Sequence, residues 1–525
     1  MANTDALGLW NIAAADPDFL AVVDPEHDHL TFGELAALTN RISRGLRAAG
    51  LGKGDQVTTV LPNCFEQLAL CLAAYQSGLY VTTINWHFVG AEINYIVNDA
   101  ETKAFIVHER FADEAVKAVK APDGCVVPEE NRFCVGGPVE GFRPFDGLIG
   151  DQSGERPAPE DLATGSFMFY TSGTTGRPKG VRRALDSRPP DEASSTAGML
   201  LMLFGSKPHD GNVQITQAPL YHTAVNNWTT MSLHLGHTVV LMDRWTAEGA
   251  LERIERYRVT SSHMVPTMFN RLLQLPDEVR ERHDVSSLRS MVHAAAPCPI
   301  ETKRRMIEWW GDSIWEYYAA TEGGGTSVSA AEWMERPGTV GKAWPGCEVI
   351  VVDDDGNDLP PGESGTVYMK MPGAVFEYKG DEAKTAASRL RDFFTVGDVG
   401  YLDSDGYLFL NDRANDMIIV GGVNIYPAEI EGELVQHPAV GDAAVFGVPN
   451  PDTGEEVKAV VELLEGWESG DGTTEAILEW LRDRIGRQKL PRSIDYTTEM
   501  PRDPNGKLYK RKLRDPYWEG HQRAI

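Results

Sequence analysis

The chain has 525 residues, 42% hydrophobic and 24% charged, with a formal net charge of −28. That length allows roughly three domains' worth of chain, and the composition suits a globular protein with a sizeable core. The acidic balance excludes general nucleic-acid binding and docking on anionic membranes, which need a Lys/Arg excess, and obliges any site for a polyanion to supply its own donors.

The N-terminus carries no basic stretch before a long apolar run, and no segment of about 20 apolar residues follows. The expectation is a cytoplasmic protein without an integral membrane segment. Thr31 and Glu34 have capping-box spacing, and Leu35, Leu38, Ile42 and Leu46 follow on one helical face. Gly50 and Gly52 close that helix. Strands are expected over 57–61, 79–84 and 104–107, with helices over 64–76 and 89–98 between them. This alternation implies βαβ units and a mostly parallel sheet. Residues 166–170 read as one apolar strand, and the polar, Pro-containing stretch 182–197 reads as a loop.

The alternation returns with strands over 238–242, 261–265 and 290–296 and a helix over 248–257. Past Cys347 the texture changes to short strands separated by turn clusters such as 353–365. Beyond Arg413 a compact α+β unit is expected, with strands near 443–448 and 457–464 and a helix over 474–485. The six cysteines, at 64, 71, 125, 134, 298 and 347, form no C-x-x-C pair. Scattered buried thiols are expected rather than a zinc site or a disulfide framework.

The strongest chemical signal runs from Tyr170 to Gly180. Three glycines, four aliphatic hydroxyls and a lysine fall within eleven residues. Thr171, Ser172, Gly173, Thr174, Thr175 and Gly176 supply hydroxyls, N–H groups and flexible backbone able to ring phosphate oxygens, and Lys179 adds a point charge. The spacing is not that of a Walker A loop, because Lys179 lies between Pro178 and Gly180.

At this string the chain resembles the superfamily of adenylate-forming enzymes, which includes acyl-CoA synthetases, peptide-synthetase adenylation domains and luciferases. Further segments fit in the family's order. Tyr318-Ala319-Ala320-Thr321-Glu322 is similar to its Tyr-Gly-x-Thr-Glu. Thr395-Val396-Gly397-Asp398 resembles its Gly-Asp segment. Asp412-Arg413-Ala414-Asn415-Asp416, followed by Gly421-Gly422, resembles the hinge region. Pro501 to Lys507 resembles the C-terminal lysine motif.

The resemblance implies an α/β fold with a large N-terminal domain, residues 1–412, that binds ATP and the acyl group. That domain has parallel βαβ-type sheets plus a small β-barrel-like part. A hinge at 413–416 leads to a small, mobile α+β C-terminal domain, 417–525. It implies that Tyr318 stacks on adenine, that Asp398 accepts the ribose hydroxyls with help from Arg413, and that Thr321 donates to the α-phosphate. Glu322 would hold Mg²⁺, a hard cation with few protein ligands. Lys507 would bridge the acid and the α-phosphate. Asn415 would be the pivot that exchanges Lys507 for the Gly421–Gly422 segment, which borders the thiol tunnel.

By the same resemblance His222, Asn227, Met264, Val265, Pro266 and the loop of Ala294, Ala295 and Ala296 form the acyl wall. His222 is the most specific of these and is grouped with the catalytic residues too. The implied activity is an ATP-dependent ligase of fatty-acyl-CoA type, acting on an apolar acid and coenzyme A. Coenzyme A is favoured because no carrier domain follows the lysine motif. The expected partners are these small molecules, with a homodimer as the protein assembly left open. Ala319 stands where the family usually has Gly. A methyl aimed at the nucleotide or the acyl carboxylate would overpack a tight site by about 1–3 kcal/mol and slow adenylation roughly ten- to a hundredfold. The alternatives are a thioesterifying partner that uses preformed acyl-AMP, an enzyme that loads a carrier protein, and a non-catalytic acid or adenylate binder.

Overall fold

The computed structural model describes residues 5–171, 179–320, 323–371, 376–378, 382–413, 416–420, 423–502 and 506–519. They fall into two compact units. The first comprises Met1–Met264, Leu275–Val292 and Val375–Ala387; the second comprises Val265–Gln274, His293–Ala374 and Ser388–Ile525.

The first unit holds the βαβ repeats. One sheet runs Arg143–Pro144, Arg132–Val135, Thr102–His108, Gln56–Val60, Tyr80–Thr83, Ser166–Phe167, with every pair parallel. Parallel strands are covered on both faces, so their sequences run apolar without alternating. Phe105, Ile106 and Val107 are all fully buried. A second parallel array pairs Leu20–Val23 with Thr238–Leu241, Thr238–Leu241 with Val213–Thr216, and Val213–Thr216 with Ser261–Met264. The capping box is formed as expected. Thr31 Oγ1 accepts from Glu34 N–H, and the Glu34 carboxylate accepts from Thr31 N–H at 2.8 Å, which starts the helix Phe32–Ala48.

Three expectations need correction. The stretch 166–170 is two strands: Ser166–Phe167 joins the parallel sheet, whereas Phe169–Thr171 pairs antiparallel with Lys179–Arg183. The break falls at Met168, whose side chain is buried and whose carbonyl accepts from Thr82 Oγ1. The stretch 182–197 contains the helix Pro190–Ala197, started by Pro189-Pro190 and by Asp191 and Glu192 in its first turn. Those are helix-start signals that the polar composition masked. The strand expected over 290–296 ends at His293 and leaves residues 294–296 in a loop.

The second unit is mainly antiparallel. Ile314–Ala319 pairs with Gly325–Ser329, which pairs with Thr339–Ala343, then Leu408–Arg413, then Asp398–Leu402, then Gly365–Lys370. A smaller mixed sheet has Gly454–Leu463 between Val440–Asn450 and the parallel strand Ser493–Thr497. The helices Pro427–Leu434 and Asp471–Arg482 close its core, which includes Ile430, Leu434, Ile477 and Leu481. Among the described residues no helix is long and apolar enough to cross a membrane, and the six cysteines are free thiols.

Candidate active site

In the second unit, two strands bring an aromatic ring to a buried carboxylate. Gly397 adopts φ +86°, a turn open to glycine, and its N–H is held by Thr395 Oγ1 at 3.0 Å. That turn starts the strand Asp398–Leu402, where Asp398 is 7% exposed. The Tyr318 hydroxyl donates to Asp398 Oδ2 at 2.6 Å. The Tyr318 ring rests against the cluster of Val351, Val367 and Leu408. In the register of the two strands Arg413 lies directly across from Asp398.

Ala319 lies on the other face of its strand from Tyr318, since successive side chains alternate. It sits opposite Gly325. A Cβ added at Gly325 would come within 2.7 Å of the Tyr318 carbonyl, 2.9 Å of Ala319 Cβ and 2.9 Å of Trp344 Cη2. Only glycine fits across from this alanine. The missing side chain at Gly325 is the space that the Ala319 methyl uses.

Lys507 is half-buried. Arg502 binds Asp442 through two hydrogen bonds, at 2.6 and 2.8 Å, and donates to the Gly506 carbonyl at 2.7 Å. Burial works against the Arg502 charge, yet the Asp442 hydrogen bond and charge, with Glu431 and Glu462, carry its pKa above the ordinary arginine value. Gly506 has φ +75°, and a Cβ there would meet Thr267 Oγ1 at 2.5 Å and Val265 Cγ2 at 3.1 Å. The backbone leading into Lys507 is therefore laid on the Val265–Thr267 segment. Val265 and Pro266, both expected in the acyl wall, are buried there. Ala294 is buried, Ala296 half-buried and Ala295 exposed.

In the first unit, half-buried His222 stands at the N-cap position of the helix Thr223–His234, without a side-chain capping bond, and that helix also carries the half-buried Asn227. Three side chains from different elements pin the turn before His222. Asn63 Oδ1 accepts from Leu220 N–H at 2.8 Å, Asn226 Nδ2 donates to the Leu220 carbonyl at 2.8 Å, and Thr83 Oγ1 donates to the Tyr221 carbonyl at 3.1 Å. Sequence reasoning missed Asn63, Thr83 and Asn226, as it missed the Arg502–Asp442 pair. Asn63, Thr83 and Asp442 find partners 60 to 157 residues away, which no local pattern discloses. The Tyr221 ring lies 4.4 Å from the His222 ring and 4.7 Å, edge-on, from Trp86. Met264, fully buried, ends the strand Ser261–Met264.

Thr171 and Lys179 pair across the antiparallel strands Phe169–Thr171 and Lys179–Arg183. Ser172, Gly173, Thr174, Thr175 and Gly176 lie outside the described residues, as do Thr321, Glu322, Asn415, Gly421 and Gly422.

The AMP-binding enzyme family matches residues 9–378, and its C-terminal domain matches residues 429–507. The fatty acid–acyl-carrier-protein ligase ScoC of Streptomyces coeruleorubidus is 30% identical, over 94% of this chain and 93% of its own. The indoleacetate–CoA ligase of Aromatoleum aromaticum is 31% identical, over 96% of each. The crystal structure of ATP-bound MatB from Rhodopseudomonas palustris superposes with a TM-score of 0.79 at 29% identity, covering 96% of this chain and 97% of that one.

The hold of Arg502 on the Gly506 carbonyl can be tested without any ligand. Arg502→Met keeps the side chain's length and removes its donors. Amide exchange at Lys507, Leu508 and Tyr509 should quicken by about tenfold or more, as expected when charged hydrogen bonds of about 1.5–3 kcal/mol are lost. The strand Val440–Asn450 should stay protected. Unchanged exchange at Lys507 would show that Arg502 does not hold this backbone.

Proposed function

The chain belongs to the AMP-binding enzyme family, and on that footing we propose that it is an AMP-forming acid–thiol ligase, which activates a carboxylic acid with ATP and transfers the acyl group to coenzyme A. One observation carries the reading: the Tyr318 hydroxyl on the Asp398 carboxylate at 2.6 Å. A ring face takes a base by stacking, and a buried carboxylate beside it takes ribose hydroxyls.

In the first half-reaction a carboxylate oxygen attacks the α-phosphorus, the bond to the bridging oxygen of the β-phosphate breaks, and pyrophosphate leaves. The Lys507 ammonium faces the charge that builds on the acid and the α-phosphate. Thr321 donates to the same phosphate. Thr171, Ser172, Gly173, Thr174, Thr175, Gly176 and Lys179 hold the outer phosphates. Glu322 would hold Mg²⁺, which would supply neutralisation of the phosphate charge. In the second half-reaction the thiol sulfur attacks the acyl carbon, AMP leaves, and the thiol proton passes to solvent. Asn415 separates a domain of residues 1–412 from one of 417–525 and is the pivot between the half-reactions, bringing Gly421 and Gly422 to the thiol.

The acid is apolar and larger than acetate. Buried Met264, Val265 and Pro266 and the small residues Ala294, Ala295 and Ala296 support this, as do the acids named for the two relatives. Coenzyme A is favoured over a carrier protein, the thiol named for one of those relatives. A weakened first step at Ala319 is the second reading. The space left by Gly325 favours an unimpaired first step.

Lys507→Ala should cut acid-dependent pyrophosphate release by about a hundredfold or more, the scale of one preorganised electrostatic donor, while supplied acyl-AMP still becomes acyl-CoA. Equal loss of both steps would contradict its role. In the same assays Asn415→Pro, with φ restricted to about −65°, should impair one half-reaction and spare the other. Wild-type rates in both would move the hinge elsewhere.

Across a panel of straight-chain acids, efficiency should rise with length before a steric limit, by up to about 0.8 kcal/mol per buried methylene. Release of AMP with coenzyme A, compared with carrier protein, identifies the thiol. Best activity on acetate would refute the apolar pocket. Ala319→Gly, run beside the wild type, should change pyrophosphate release by less than about tenfold, the low end of an overpacking cost. A larger gain would establish that the methyl slows adenylation.

A further inference from the structure

The loop between His293 and Ile300 is stiff at its far end. Pro297 and Pro299 each fix a φ angle, and the residues before them, Ala296 and Cys298, are held away from helical conformations. The turn is made at Ala295, whose φ is +74°. A residue with a Cβ occupies that region at a cost, and does so only where its surroundings over-determine it.

A buried ion pair flanks this loop. Lys303 leaves the loop on the helix Ile300–Trp310, and its Nζ donates to Glu316 Oε2 at 2.5 Å. The same ammonium lies 4.8 Å from the centre of the Trp333 ring. Glu316 Oε2 is also 3.7 Å from Nε2 of His293, the residue that enters the loop. The His293 ring meets Phe269 edge-on at 5.1 Å. Lys303 is 1% exposed and Glu316 6%. Burial pushes the Glu316 carboxyl up, and the Lys303 charge and hydrogen bond oppose that push. Glu316 stands two residues before Tyr318 on one strand, so one carboxylate bonds Lys303 beyond the loop and lies beside His293 before it.

We propose that Lys303, Glu316 and His293 are positioning residues: the buried pair clamps the two ends of the loop and thereby forces Ala295 into the left-handed turn that presents residues 294–296 to the acid. The presentation to the acid rests on the ligase reading; the clamp itself does not. A buried ion pair kept only for stability is commonly replaced by apolar side chains without loss of stability. A clamp is not replaceable in that way, because the apolar pair no longer fixes the loop ends.

The experiment compares wild type, the double variant Lys303→Met/Glu316→Leu, and the triple variant that adds Ala295→Gly. Without ligand, amide exchange over residues 294–298 should quicken by about tenfold or more in the double variant; unchanged exchange overturns the clamp, whatever the substrate. In steady-state assays, the double variant should raise the acid KM by about tenfold or more, leaving the ATP KM within about twofold, because only presentation of the acid is lost. The triple variant should recover the acid KM, since glycine adopts φ near +74° unforced. A double variant with the wild-type acid KM, or a triple variant as weak as the double, overturns the proposal. If the double variant does not fold, Glu316→Gln with and without Ala295→Gly gives the same comparison with the same two outcomes. Absence of acid-dependent turnover in the wild type counts against the ligase reading, and the exchange measurement still decides the clamp.

Discussion

The hydrogen bond from the Tyr318 hydroxyl to the Asp398 carboxylate, 2.6 Å long, joins strands whose residues lie 80 positions apart in the chain. It fixes an aromatic face and a buried acceptor in one geometry. In the proposed reading a nucleoside takes those two surfaces together, and the neighbouring residues hold them in place. Gly397 turns the chain into Asp398, and Val351, Val367 and Leu408 support the ring. Gly325 leaves space on the opposite face of the Tyr318 strand.

A chain with a net charge of −28 cannot draw a polyphosphate by its overall field. Its cations have to be placed individually, and acidic neighbours do the placing. Asp442 holds Arg502, which donates to the Gly506 carbonyl. Glu431 holds Lys510 at 2.9 Å, and Glu316 holds Lys303. The backbone at Gly506, next to Lys507, is therefore braced.

Local features of the fold were legible in the sequence. The capping box at Thr31 and Glu34 formed as read, because both partners lie within one helical turn. The strand read at 104–107 is an apolar run, and it forms the fully buried part of Thr102–His108. The helix Pro190–Ala197 was hidden by polar composition, although its proline and acidic start were present. The break at Met168 was not legible, because the apolar run continues while the chain changes sheets. For the proposed site, the motifs name Tyr318, Asp398 and Lys507. They could not locate Asp442, Asn63 or Thr83, whose effects act through partners 60 to 157 residues away. Nor does a run of three alanines disclose that one of them, Ala295, has positive φ.

The central claim is that Tyr318 and Asp398 form a single nucleotide site. Calorimetric titration of ATP into wild type, Tyr318→Phe, Asp398→Asn and the double variant tests it most directly. Asp398→Asn should weaken binding by about tenfold or more, the loss of a hydrogen bond to a charged group. The two substitutions should be non-additive by about 0.5–3 kcal/mol, as for residues in contact. Binding of ATP by Asp398→Asn with wild-type affinity, or strictly additive effects, would contradict it.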